Sequence, residues 1–362
     1  MTAGVRRSEV DYVWPPLLLL PPPDVTVVYL DLNHWIGLAK ARTGHRDAGP
    51  YGDLLEAARA RRSQGSVTFV LSGQHYMEMS LIRSPRQRGD VAAVMEELSN
   101  FATLLCRPVV MRLELEAALD AATRTETTPF VPLPILGSGF GHAFGKRGRV
   151  EIRHKDGVPA ETIRRDWPGG ADRYDATLAT VHLVTERHML AGPQDDELEA
   201  LAAHGFVPRA AQLGQEKRAQ QEREQATRFD AFPSLRKGRT RDAVSARYMV
   251  IELFDMLSES LAIRGRTLDD VWSDIDSARR LVDSMPSGDV HVSLQTAAHR
   301  NPQTRWTPND YFDIDALSLA VPYCNIVVTE RHRCHALQAE GCPQRLDTVV
   351  IASPDELTIL LQ

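Results

Sequence analysis

The sequence predicts an α/β fold: a three-layer sandwich with a mostly parallel central sheet, interrupted by a largely helical insertion. Three observations lead there. Short apolar runs rich in β-branched residues recur at 25–30, 67–71, 325–328 and 348–351, and they read as strands buried on both faces. Helical spacing fills the intervals between them, and strand–helix alternation with short links implies parallel strands. Between about 107 and 241 the pattern changes to Gly- and Pro-rich stretches alternating with polar helical segments.

Four segments follow from this reading. Residues 1–23 form a Pro-rich arm containing Trp14-Pro-Pro-Leu-Leu-Leu-Leu-Pro-Pro-Pro23. Four leucines between prolines are too short for a membrane span, and the prolines forbid a helix, so an extended arm on the domain or on a partner is expected. Residues 24–106 are the first part of the core. The strand 25–30 ends at Asp31, helical spacing follows over 51–62, and Gly65 breaks it ahead of the strand 67–71. Ser72 can cap the next helix, 74–81, which carries Glu78. A further amphipathic helix is expected over 90–105. Residues 107–241 form the inserted lobe. Residues 242–362 return to the core, with helices at 245–263 and 267–284, a helix opening near Asp315, the strand 325–328, a helix over 331–340 and the strand 348–351. Ser353-Pro-Asp-Glu356 is a strong helix-start signal.

At 362 residues the chain has room for one large domain or a domain with a substantial insertion. It is 43% hydrophobic and 25% charged with a net charge of −6, a balance that neither demands nor forbids nucleic acid. No apolar run approaches membrane-spanning length, so no membrane partner is expected. Cys106, Cys324, Cys334 and Cys342 are scattered without a Cys-x-x-Cys pair, which points to a reduced, cytoplasmic protein. No P-loop, nucleophile elbow or dinucleotide fingerprint occurs. His332, Cys334, His335 and Cys342 have no standard zinc spacing.

The chemistry is carried by acids. Ligand sites in open α/β sheets lie at the carboxyl ends of the strands. Asp31 ends the first strand, Glu78 sits on the helix leaving the second, Asp313 and Asp315 precede the third, and Glu330 ends it behind Thr329. Several carboxylates in one crevice repel one another, and Mg²⁺ or Mn²⁺ is their natural complement. For Asp310, Asp313 and Asp315, capping a helix start is an equally open role. His34 and His75 stand three residues from Asp31 and Glu78, where each can line the cleft or serve as a structural histidine.

This order resembles the PIN-domain ribonucleases: strand-Asp, then strand-helix with Glu, then Asp-Ala opening a helix, then strand-Thr-acid. The segments concerned are Val27-Val-Tyr-Leu-Asp31, Phe69-Val-Leu-Ser-Gly-Gln-His-Tyr-Met-Glu78 and Asp313-Ile-Asp-Ala through Val-Val-Thr-Glu330. The resemblance covers roughly 25–105 and 290–362. It implies a metal-dependent endonuclease, with RNA the favoured substrate. Asp31, Glu78, Asp315 and Glu330 would be the metal ligands, Asp313 competes for the third place, and Thr329 would hydrogen-bond the Asp31 carboxylate. Asn33 would support the site. Homodimers and an inhibitory protein partner are also implied by the family. Two departures stand out: many members have Asp where Glu330 stands, and the second and third acids are far apart in sequence.

Basic residues in the inserted lobe, among them Lys146, Arg147, Arg149, Arg164 and Arg165, are candidates for gripping a phosphate backbone. Trp167 beside the last two adds a stacking surface. Two rival functions are kept: a PIN-like nucleic-acid or protein binding module without cleavage, and a haloacid-dehalogenase-type phosphohydrolase using Asp31. The second needs an acid two residues after its nucleophile, where this chain has Asn33.

Overall fold

The computed structural model describes residues 11–362 except 126–128, 147–151, 153–155, 206 and 208. Among the described residues the central sheet has four short strands, β1 (Thr26–Leu30), β2 (Val67–Val70), β4 (Ile326–Val328) and β5 (Val349–Ile351), while β3 (Ala102–Leu104) pairs antiparallel with Leu136–Ser138 and touches the sheet's edge. Strands β2, β1, β4 and β5 lie side by side in that order, all parallel. Past β2, a single parallel bridge from Leu71 to Thr103 adds β3 to the line. Along the sheet the order is therefore 3-2-1-4-5, and its direction reverses between β1 and β4. A crevice at such a reversal is where open α/β sheets bind ligands.

The helices that flank the sheet or pack against its cover include α1 (Leu32–Arg42), α2 (Tyr51–Ser63), α3 (Gly73–Met79), α4 (Pro85–Ser99), α5 (Arg107–Thr123), α6 (Ala210–Ala231), α7 (Pro286–Arg300), α8 (Pro308–Tyr323), α9 (Arg331–Ala339) and α10 (Pro354–Leu361). Strand side chains alternate between two faces, and the two sets enter separate cores. Val28, Leu30, Phe69 and Val328 pack with Trp35, Leu38, Leu54, Val94 and Leu357 of α1, α2, α4 and α10. Val27, Tyr29, Val70 and Val327 pack with Leu113, Leu294, Leu317 and Leu337 of α5, α7, α8 and α9. Each apolar side chain of this size contributes roughly 1.5–3 kcal/mol when fully buried. Among the described residues, no helix is long and apolar enough to cross a membrane.

Helix α1 was not part of the sequence expectation. Its Gly37 leaves room for Tyr51, because a Cβ there would meet the ring at 2.4 Å. The helix expected over 90–105 instead stops at Ser99. Asn100 and Phe101 both take positive φ (49° and 58°), and β3 begins at once. The helix expected to open near Asp315 starts a full two turns earlier. Thr307 caps it: its backbone N–H and hydroxyl both donate to Asp310 (2.7 and 2.8 Å), and Pro308 occupies the first position.

The segment expected as an inserted lobe is largely helical, but it is not set apart from the core. Helix α6 packs along α8, and α5 joins a third apolar cluster with the helices Thr240–Tyr248, Phe254–Ile263 and Ile275–Ser284. The described part of the arm lies on the domain. Leu18 and Leu19 pair in parallel with Leu133 and Pro134, and Tyr12 donates to Asp289 at 2.5 Å.

Candidate functional site

Asp31 is the first residue past β1 and Glu330 the second past β4, behind Thr329, and each begins a helix. The pairing Leu30 to Val328 sets these two ends together at the reversal point of the sheet. Glu78 comes from α3 and Asp313 from α8. All four acids, with Asp310, Asn33 and His332, line one cavity of about 400 Å³. A mostly apolar cavity of about 630 Å³ lies beside α5, with Lys146 and Arg112 on its wall. It is larger, but the convergent chemistry is in the acidic one.

Each acid is held differently. Asp31 accepts from the Leu32 backbone N–H at 2.7 Å. Burial, and next the Asp313 charge, push it up to about 7. Glu78 is raised well above the ordinary carboxylate range by burial and then by Asp31, Asp313 and Glu330. Among the described residues no side chain donates to it. Asp313 is raised by burial against the opposing pull of Arg333. The Arg333 guanidinium, 5% exposed, reaches Asp313 through Nε (3.0 Å) and Asp310 through Nη2 (2.5 Å). Glu330 accepts from the Asn33 amide (2.5 Å), and its other oxygen lies 3.2 Å from His332. Among the described residues, no three Asp, Glu, His or Cys side chains are drawn together at metal-ligand spacing.

Asp315, expected as a ligand, is not in this cavity. Two residues along a helix turn a side chain by about 200°, so Asp313 and Asp315 face opposite ways. Asp315 is buried and bound by Arg218 (2.5 and 3.1 Å), with Arg107 at 3.6 Å and Gln215 at 3.3 Å. Burial alone would raise its pKa, but Arg218 and Arg107 outweigh it and hold Asp315 below the ordinary value. Asp313 takes the cleft position instead, three residues after Asp310 and hence on the same face.

Thr329 does not hold Asp31. Its hydroxyl is buried without a hydrogen-bond partner, and its backbone N–H donates to Ile351. His34 does not line the cavity: Nδ1 meets the Tyr51 hydroxyl at 3.0 Å, and the ring also bonds the Thr329 backbone. His75 is fully buried and lowered to about 4 by burial. Its Nε2–H donates to the Leu30 carbonyl at 2.8 Å, and its Nδ1 accepts from the Ser72 N–H at 3.0 Å. His75 therefore ties the end of β1, which bears Asp31, to the start of α3, which bears Glu78. Both histidines are structural supports of the cleft. Sequence reasoning missed Arg333, and it weighed His332 only as part of a zinc set. His332 and Arg333 stand two and three residues after Glu330 on the first turn of the helix it begins, which was the available signal.

Of the basic candidates, Arg164 makes two bonds to Asp175 (2.9 and 2.7 Å), and Arg165 pairs with its neighbour Asp166. Arg147 and Arg149 lie outside the described residues. No family model, curated protein or solved structure matches this chain.

Proposed function

We propose that this chain is a metal-dependent endonuclease with a PIN-like, three-layer fold, and that RNA is its substrate. The observation that carries the reading is the convergence of Asp31, Glu78, Asp313 and Glu330, from four separate elements, on one cavity at the sheet's reversal point. The 3-2-1-4-5 order, with apolar cores on both faces, supports the three-layer description.

The chemistry of the donors, four carboxylates, suits a hard divalent cation such as Mg²⁺ or Mn²⁺, which would have to draw them closer than they stand. Burial and mutual repulsion raise Asp31, Glu78 and Asp313 together, which is the state of oxygen ligands lacking a central positive charge. Asp31 and Glu78 would hold the ion. Asp313, shared with Arg333, and Glu330, oriented by Asn33 and His332, would complete the set. When bound, such an ion activates water and offsets charge on the phosphodiester oxygens. Asp315 has no part in this.

A second reading, a binding module that does not cleave, draws on Arg333, which already supplies Asp310 and Asp313 with a cation. The phosphohydrolase reading loses ground, because Asn33 is an amide committed to Glu330 and cannot exchange a proton as an acid. The test is cleavage of single-stranded and structured RNA in Mn²⁺ and in Mg²⁺, with EDTA and Asp31→Asn as controls. Cation-dependent cleavage by the parent but not by the variant is expected. Equal cleavage by both would refute the assignment.

A further inference from the structure

A second cavity, of about 360 Å³, adjoins the acidic one: Leu81 and Ile82 line both. Its charge is opposite. Arg83 and Arg209 stand on its wall, both exposed, and among the described residues neither side chain makes a hydrogen bond or ion pair. Asp195 is the acid present. Arginines near the acids are committed, as Arg218 is to Asp315 and Arg333 to Asp313. Free guanidinium groups in a concave site are suited to a phosphate, which they can bind through paired N–H donors.

The wall between the cavities is stiff. Leu81 donates to the Glu78 carbonyl (2.9 Å) and Ile82 to that of Met79 (3.2 Å), so the chain turns tightly from Glu78 to Arg83. Arg88, 6% exposed, donates to the Ile82 carbonyl (2.9 Å), to Ala191 (2.7 Å) and to Pro193, and so braces this wall against the facing one. The position of the Arg83 backbone relative to the acidic cavity is therefore fixed by the turn rather than by mobile side chains.

We propose that the Arg83–Arg209 cavity holds the phosphate adjacent to the scissile one in a single polynucleotide strand. Leu81 and Ile82 form the apolar surface crossed by the intervening sugar and base. The proposal rests on the nuclease reading for which phosphate is cut, but its own claim is phosphate binding. The acidic cavity repels a phosphate in the absence of a cation, whereas the basic one attracts it and sets the strand's register over the acids.

The experiment is anisotropy of a labelled single-stranded oligoribonucleotide in Ca²⁺ across a salt series, with the parent, Arg83→Ala/Arg209→Ala and Arg83→Lys/Arg209→Lys. The alanine pair should weaken binding about tenfold. It should also reduce the slope of log K against log[salt] by about 0.7, the value for one phosphate contact on a single strand. The lysine pair should restore the salt slope but only part of the affinity, because an ammonium keeps the charge without the paired donors, and calorimetric Mn²⁺ binding should not change. Unchanged affinity and slope in the alanine pair, or no binding by the parent, would overturn the proposal. Arginine-dependent binding without Mn²⁺-dependent cleavage would uphold the phosphate site and remove the nuclease reading.

Discussion

Asp313 and Asp315 are two residues apart and meet opposite environments, and amide substitutions should separate them. Asp315→Asn leaves Arg218 and Arg107 facing a neutral group inside the core, and breaking a buried ion pair costs roughly 3–5 kcal/mol. Asp31→Asn and Glu78→Gln act the other way. Both acids are raised by burial and repulsion, so removing either charge should stabilise the metal-free protein at pH 8. Urea denaturation of the three variants beside the parent checks both signs; destabilisation by Asp31→Asn would show that the cleft is not under repulsion. The sequence revealed the cleft acids because strand ends are easy to locate in apolar runs. It left Asp313 and Asp315 competing for the third place, because that choice depends on the helix start at Thr307-Pro-Asn-Asp310, ahead of both. Once the start is set at Thr307, helical geometry alone selects Asp313.

Elements are positioned by a few polar ties. His75 joins β1 to α3 through Leu30 and Ser72, and it packs against Trp35 with ring centroids 6.4 Å apart. His75→Ala leaves a buried carbonyl and a buried N–H unpaired, each at roughly 1–3 kcal/mol. The expected result is a lower thermal midpoint, a changed Trp35 fluorescence and weaker Mn²⁺ binding, since Asp31 and Glu78 lose their common anchor. Unaltered cation affinity in a folded variant would restrict His75 to stability. Most strands and many of the helices were legible from periodicity. Two features were not. Helix α1 is masked by Trp35 and Gly37 in a short window, and the turn at Asn100–Phe101 places a non-glycine aromatic at positive φ because its side chain is buried at 4% exposure. That is a tertiary effect that local propensity does not carry.

For the whole molecule, buried ionisable groups set the pH range of stability. Glu114, fully buried, is pushed up to about 7 by burial, despite donors from Ser287 and Tyr323. Its folded pKa lies above the unfolded one, so the folded state binds more protons and stability falls as pH rises from about 4.5 to 7. Asp315 is depressed, so its contribution is present above its unfolded value of 3.8 and is lost as pH falls through the folded one. Thermal midpoints should therefore peak between these limits, near pH 4.5, and Glu114→Gln should flatten the decline above it. The same ion pairs explain why the middle of the chain does not stand apart as a lobe. Arg107 and Arg218 belong to it, and both reach Asp315 beneath the cleft. Charge clusters in sequence suggested a solvated, phosphate-facing surface, but partner choice, which decides whether an arginine is free, is set by tertiary structure. The central claim is that the acids at the sheet's reversal point form a cation site. Its most direct test is calorimetric titration of Mn²⁺ into the parent, Asp31→Asn, Asp313→Asn and Asp315→Asn below their unfolding temperatures. The account predicts binding by the parent and by Asp315→Asn, and at least tenfold weaker binding by the other two. Binding lost with Asp315→Asn but kept with Asp31→Asn would contradict it.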